Sequence, residues 1–188
     1  TAAHGYLLQE FMSPSANTRD DQWGGSFENR TRLCIDVFKA IRDVWPEHKP
    51  IGVRLSATDY LEGGWSLEET TELCRRLRSL GCDYAAISSG GLSLDQKVPI
   101  GEGHQVGFAR TVREGSGLPV MCVGMIFRPK HAEKIISDRD ADLVGLARGM
   151  LQDPHWPWRA AAELDAEVTY PPQYIRGYRS KWHRTQRY

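Results

Sequence analysis

Ile51-Gly52-Val53-Arg54-Leu55-Ser56-Ala57, Ser66-Leu67-Glu68-Glu69 and Asp83-Tyr84-Ala85-Ala86-Ile87-Ser88 are the segments whose reading decides the fold. The first and third are short runs that stay largely apolar on both faces. That is the pattern of strands covered on both sides of a parallel sheet. Between them, Ser66 with Glu69 three residues on forms a capping box. Leu73, Cys74, Leu77 and Leu80 then recur at helical spacing, and Gly81 supplies the stop. The stretch is a strand, a helix and a second strand, with Arg54 as the one charge inside a strand.

The same alternation continues on both sides. Residues 27–44 place Leu33, Cys34, Val37, Phe38, Ile41 and Val44 on one helical face, with Ser26 as N-cap. Downstream, the pattern predicts a helix over 104–114 and a strand from Pro119 to Met125. A helix follows from Pro129 carrying Ala132, Ile135 and Ile136, then a strand from Leu143 to Ala147, then a helix opened by Asp153-Pro154 and running through Leu164. The strands recur about every 30 residues, the length of a βαβ unit. The fold class is α/β, and two architectures fit: an open doubly wound sheet, or half of a (β/α)8 TIM barrel. A whole barrel needs roughly 250 residues, and the chain has 188.

Composition narrows the function. Lys plus Arg and Asp plus Glu are 24 each, so the net charge is zero. This argues against blanketing nucleic acid or an anionic membrane. A hydrophobic fraction of 40% suits a globular core. No apolar run approaches the roughly 20 residues of a membrane span, and Thr1-Ala2-Ala3-His4 lacks the basic start of a signal peptide. A cytoplasmic location is the expectation. Cys34, Cys74, Cys82 and Cys122 form no C-x-x-C pair and read as buried reduced thiols.

In both architectures ligands sit at the C-terminal ends of the strands. Arg54 either pairs with an internal carboxylate or meets an anionic ligand atom, since an uncompensated guanidinium there is costly. Ser88-Ser89-Gly90-Gly91 offers small side chains and free N–H groups. Gly124, together with Ala147-Arg148, reads either as a phosphate cup built from strand ends and a helix start, or as tight packing beside a surface arginine. The six histidines show no metal-ligand spacing, and neither a G-x-S-x-G elbow, a P-loop nor a G-x-G-x-x-G fingerprint occurs.

The N-terminal block is the most specific. It reads His4-Gly5-Tyr6-Leu7 through Phe11-Met12-Ser13-Pro14, Asn17-Thr18-Arg19-Asp20, Trp23-Gly24-Gly25-Ser26 and Glu28-Asn29-Arg30. With V-R-L-S-A, S-S-G, V-G-M-I and A-R-G-M-L-x-D-P further on, it closely resembles the old yellow enzyme family of FMN-dependent ene-reductases, along essentially the whole chain. The ending Gln173-Tyr174-Ile175-Arg176-Gly177-Tyr178 resembles that of its thermophilic-like bacterial subgroup.

The resemblance implies a (β/α)8 barrel with FMN at its top, of which this chain supplies strands five to eight, over residues 1–172, with a basic and aromatic tail for subunit contact over 173–188. It implies that His4 donates a hydrogen bond to the substrate oxygen as the catalytic group, and that Thr1 and Tyr6 line the substrate pocket. The resemblance also implies that Arg54 stands beside the flavin ring, that Gly124, Ala147 and Arg148 hold the FMN phosphate, with alanine at 147 where glycine is common, and that Arg176 reaches into a neighbouring subunit's site; Asn17, Arg19, Asp20, Trp23, Gly24 and Gly25 read as scaffold. The implied cofactors are FMN and NAD(P)H as reductant. The implied partners are an enone-type small molecule and either further copies of the chain or an N-terminal half, with no nucleic acid and no membrane. The alternatives are a non-catalytic half barrel that needs a partner half, and a flavin-free barrel enzyme such as an aldolase, for which no lysine falls at a strand end.

Overall fold

Four strands lie side by side in chain order in the computed structural model, which describes residues 1–177. They are β1 (Gly52–Ser56), β2 (Tyr84–Ser88), β3 (Val120–Cys122) and β4 (Leu143–Val144), and every neighbouring pair is parallel. Helices α3 (Leu67–Ser79), α4 (Val106–Ser116) and α5 (Pro129–Ser137) make the crossovers. Parallel crossovers are right-handed as a rule, so three consecutive ones advancing in one direction put their helices on one face of the sheet. A doubly wound sheet would reverse direction, so the order selects the half (β/α)8 barrel. Ala2 adds one parallel bridge to Leu55 on the far side of β1, where the end of a preceding barrel strand belongs.

The strands are shorter than the apolar runs predict. β3 ends at Cys122 and β4 at Val144; immediately beyond β3, Gly124 turns the chain with φ +116°. Helix α2 (Phe27–Val44) matches the predicted range, and Ser26 Oγ accepts from Asn29 N at 3.3 Å. The capping box is complete: Ser66 Oγ accepts from Glu69 N, and Glu69 accepts from Ser66 N. Helix α4 starts two residues later than predicted, because the His104 side chain bonds Gly101 O in the preceding turn and that of Gln105 is drawn to Ser89 and Val123 at the strand ends. Asp153 likewise belongs to a turn, with its carboxylate accepting from His155 N, so α7 runs Trp156–Glu163. One short helix, α1 (Leu7–Met12), escapes the pattern reading, and the helix start read at Ala147-Arg148 is α6 (Arg148–Gln152). A 3-10 helix covers Pro172–Gly177. The tail residues from Tyr178 onward, including Arg179, Lys181, Trp182, Arg184 and Arg187, lie outside the described residues.

The core sits between the sheet and its helices. Leu55, Leu73, Leu77, Ile87, Val112 and Val120 are fully buried, and each such side chain contributes roughly 1.5–3 kcal/mol relative to exposure. The four thiols are free and buried. Burial pushes Cys34 and Cys122 up to about 12 and Cys82 to about 11, and also raises Cys74. The predicted apolar face of α2 is only partly covered. Cys34 and Phe38 are buried, whereas Val37, Ile41 and Val44 remain exposed. Val37 and Ile41 border a groove of about 300 Å³ beside β1, on the flank where no further strand lies among the described residues. Among the described residues no helix is long and apolar enough to cross a membrane.

The N-terminal block is held by buried polar contacts. Asn17 Nδ2 donates to the carbonyls of Phe11 and Trp23 at 2.6 and 2.7 Å. A Cβ on Gly24 would lie 2.1 Å from the Arg19 carbonyl oxygen. Arg30, buried in α2, donates to the Met12 carbonyl, to Gly25 O at 3.0 Å and to Glu69 Oε1 at 2.5 Å. These contacts tie α1, α2 and α3 together, and they agree with the scaffold reading of Asn17 and Gly24.

Candidate functional site

A cleft of about 660 Å³ opens at the C-terminal ends of the strands. β1 contributes Arg54, the end of β2 Ser88 and Ser89, the turn after β3 Gly124, and the segment after β4 Ala147 and Arg148. The four residues implicated in cofactor binding thus share one concavity. Two guanidinium groups line it and no carboxylate does. Neither the Arg54 nor the Arg148 side chain has a hydrogen bond or ion pair among the described residues, and both residues are exposed and line the cleft. The internal carboxylate partner for Arg54 is therefore absent among the described residues. Val98, Ile100, Val123 and Leu146 supply apolar walls.

Gly124 has no room for a side chain. Its φ of +116° disfavours any other residue, and a Cβ would fall 2.5 Å from Gln105 Nε2 and 3.2 Å from His104 Cε1. Gln105 is itself fixed. Its Oε1 accepts from Ser89 Oγ at 2.9 Å, its Nε2 donates to Val123 O at 3.3 Å, and Tyr60 Oη donates to Ser89 Oγ at 2.9 Å. The ends of β1, β2 and β3 are joined through these side chains. A cradle kept open by glycine, two unpaired cations and apolar walls fit a ligand with a phosphate and a flat apolar body. Among the described residues no three His, Cys, Asp or Glu side chains group to hold a metal ion.

His4 stands at the edge of this region, where Ser88 connects the two. Its Nε2 lies 2.7 Å from Ser88 Oγ, and its backbone N–H donates to Ser56 Oγ at 3.2 Å. Its backbone is left-handed, with φ +57°, and the turn is completed by Gly5 N donating to Gln9 Oε1 at 2.8 Å. Burial, and then the positive charge of Arg54, hold its imidazole below the ordinary value. A neutral ring is a hydrogen-bond donor through one nitrogen only.

Thr1, Tyr6 and Arg176 are not among the residues lining the cleft. Thr1 borders the groove beside β1 and α2. Tyr6 precedes α1 and is 66% exposed. Arg176 lies exposed in the 3-10 helix. The residues that hold the site but escape sequence reading are Gln9, Asp59, Tyr60 and Gln105. Gln9 is one polar residue within the short α1 and the others lie beside turns or strand ends, all without a periodic or motif signal.

Comparison with known proteins agrees with this architecture. Residues 1–167 match the family profile described as the NADH:flavin oxidoreductase / NADH oxidase family. NADPH dehydrogenase of Geobacillus thermodenitrificans is 40% identical over 178 residues, which are 95% of this chain and 52% of that protein. The chain spans about half the length of the curated relatives it matches. Among solved structures, 2-naphthoyl-CoA reductase in complex with 2-naphthoyl-CoA superposes with a TM-score of 0.79 at 29% identity, over 86% of this chain and 25% of that one. A variant of morphinone reductase in complex with tetrahydroNAD gives 0.67 at 25% identity, over 92% and 44%. The motifs, the half-barrel topology and the profile match across nearly the whole chain lead to one assignment: the chain belongs to the NADH:flavin oxidoreductase / NADH oxidase family, of the old yellow enzyme type.

Proposed function

We propose that this chain forms the FMN-binding half of an NAD(P)H oxidoreductase that reduces an activated C=C or nitro acceptor. The observation that carries the reading is the cleft itself, where Arg54 and Arg148 face one space without a carboxylate. FMN held there would supply the hydride-transfer chemistry that links reduced nicotinamide to the acceptor. The residues of this chain would bind and orient. Arg148 with the backbone at Gly124 and Ala147 would hold the phosphate, by charge-assisted and amide hydrogen bonds. Arg54 would place a fixed positive charge beside the ring, favouring its reduced form. His4, neutral at pH 7, would donate a hydrogen bond to the carbonyl or nitro oxygen and so draw electron density from the carbon that receives hydride. Tyr6 and Thr1 would border the acceptor, and Arg176 would act on a neighbouring copy. The name of the Geobacillus relative supports the nicotinamide, and that of the naphthoyl-CoA reductase supports reduction of an unsaturated carbon.

The test is an FMN titration of the protein and its Arg148→Ala variant, followed by flavin fluorescence. Loss of the phosphate contact should weaken binding by about 1.5–3 kcal/mol, roughly ten- to 150-fold. Unchanged affinity would reject this placement of the phosphate.

A further inference from the structure

Ser56 and Ser88 are partners in the β1–β2 register, and both are buried. Together they grip one residue. Ser56 Oγ accepts the His4 backbone N–H at 3.2 Å and donates its own proton to Gly90 O at 2.8 Å. Ser88 Oγ meets the His4 ring at Nε2, 2.7 Å away. From the other side Gly91 presses on the residue, since a Cβ there would lie 2.6 Å from His4 Cα and 3.2 Å from its Cδ2. A left-handed backbone at a residue other than glycine is a strained state that persists where the surroundings over-determine it.

The direction of the Ser88 bond follows from accounting for protons. Ser88 is a buried residue at the wall of the cleft, and Nε2 is the one partner of its hydroxyl among the described residues. A buried O–H that donates to nothing is costly. If Nε2 carried the ring proton, the serine proton would be left in that condition. With the serine donating, Nε2 is an acceptor and the single proton of the neutral ring sits on Nδ1, which has no partner among the described residues.

We propose that Ser88 is a positioning residue that fixes His4 in the Nδ1–H tautomer, so that Nδ1 is the donor presented to the acceptor oxygen. This deepens the functional reading above and rests on it for the role of His4. The tautomer itself is independent of any cofactor.

The test is nitrogen NMR of the histidine-labelled protein at pH 8, without flavin or acceptor, with the His4 signals identified by their loss in His4→Gln. The expected spectrum has a protonated Nδ1 and an unprotonated Nε2 at His4. Ser88→Ala should move both nitrogens toward averaged values of two exchanging tautomers, and Ser88→Thr should restore the fixed one. A protonated Nε2 at His4 in the unmodified protein would overturn the proposal and needs no variant. So would Ser88→Ala leaving both signals in place. A protein that binds FMN yet shows the wrong tautomer would contradict this inference alone. One with the expected tautomer and no affinity for FMN would contradict the function alone.

Discussion

Gln9 Nε2 donates to Asp59 Oδ1 at 2.7 Å across 50 residues of chain, and both side chains are fully buried. The other Asp59 oxygen accepts from Ser13 Oγ at 2.5 Å and from Trp65 N at 2.8 Å. Gln9 in turn accepts from Gly5 N, so a carboxylate beyond β1 holds the turn that carries His4. In Asp59→Asn one oxygen becomes an NH2 group, and whichever way the amide faces, a donor meets a donor. Urea denaturation should show a loss of about 1–3 kcal/mol. A variant as stable as the parent would remove Asp59 from this role.

Gly124 separates two costs of adding a methyl group. Gly124→Ala meets Gln105, which cannot swing away without leaving Ser89 and Val123. It also adopts a strained backbone, and together these should cost about 1–3 kcal/mol and weaken FMN binding. Gly25→Ala has positive φ but open space, so it should cost about 1 kcal/mol and leave FMN affinity unchanged. Equal losses in both properties would show that the crowding at Gly124 is immaterial.

His4 gives the stability a pH dependence of known sign. Its folded-state pKa is depressed, by burial first and Arg54 second. As pH falls through about 6.5, the ordinary histidine value, the unfolded chain takes up a proton that the folded one resists. The contribution of this group is therefore complete above that pH and is lost progressively below it, until the lower folded-state value is passed. Measured by urea midpoints from pH 8 to pH 5, the protein should lose stability relative to His4→Gln. A constant difference across that range would contradict the depressed value.

Much of the fold was legible because it rests on periodicity. The α2 range, the Ser66–Glu69 capping box and the positions of all four strands follow from apolar spacing and cap chemistry. The choice between a doubly wound sheet and a half barrel did not follow from apolar spacing, because strand order depends on the direction of crossovers and not on local pattern; the resemblance of the N-terminal block supplied the half barrel, and the strand order agrees with it. The six-residue α1 is too short to show a period. Val37, Ile41 and Val44 belong to an apolar stripe whose exposure depends on what lies beyond β1, which no pattern within α2 encodes. At the site, Arg54 and Gly124 announced themselves as a charge in a strand and a glycine at a strand end. Asp59 and Gln105 did not, since one polar residue in a turn looks the same whether it faces water or three buried donors.

The central claim is that the cleft between Arg54 and Arg148 holds FMN. The most direct measurement is the visible absorption spectrum of the protein after mixing with FMN and gel filtration. Flavin bands should co-elute with the protein at one flavin per chain and diminish in Arg148→Ala. A folded, colourless protein that leaves all the FMN in the small-molecule fractions would contradict it.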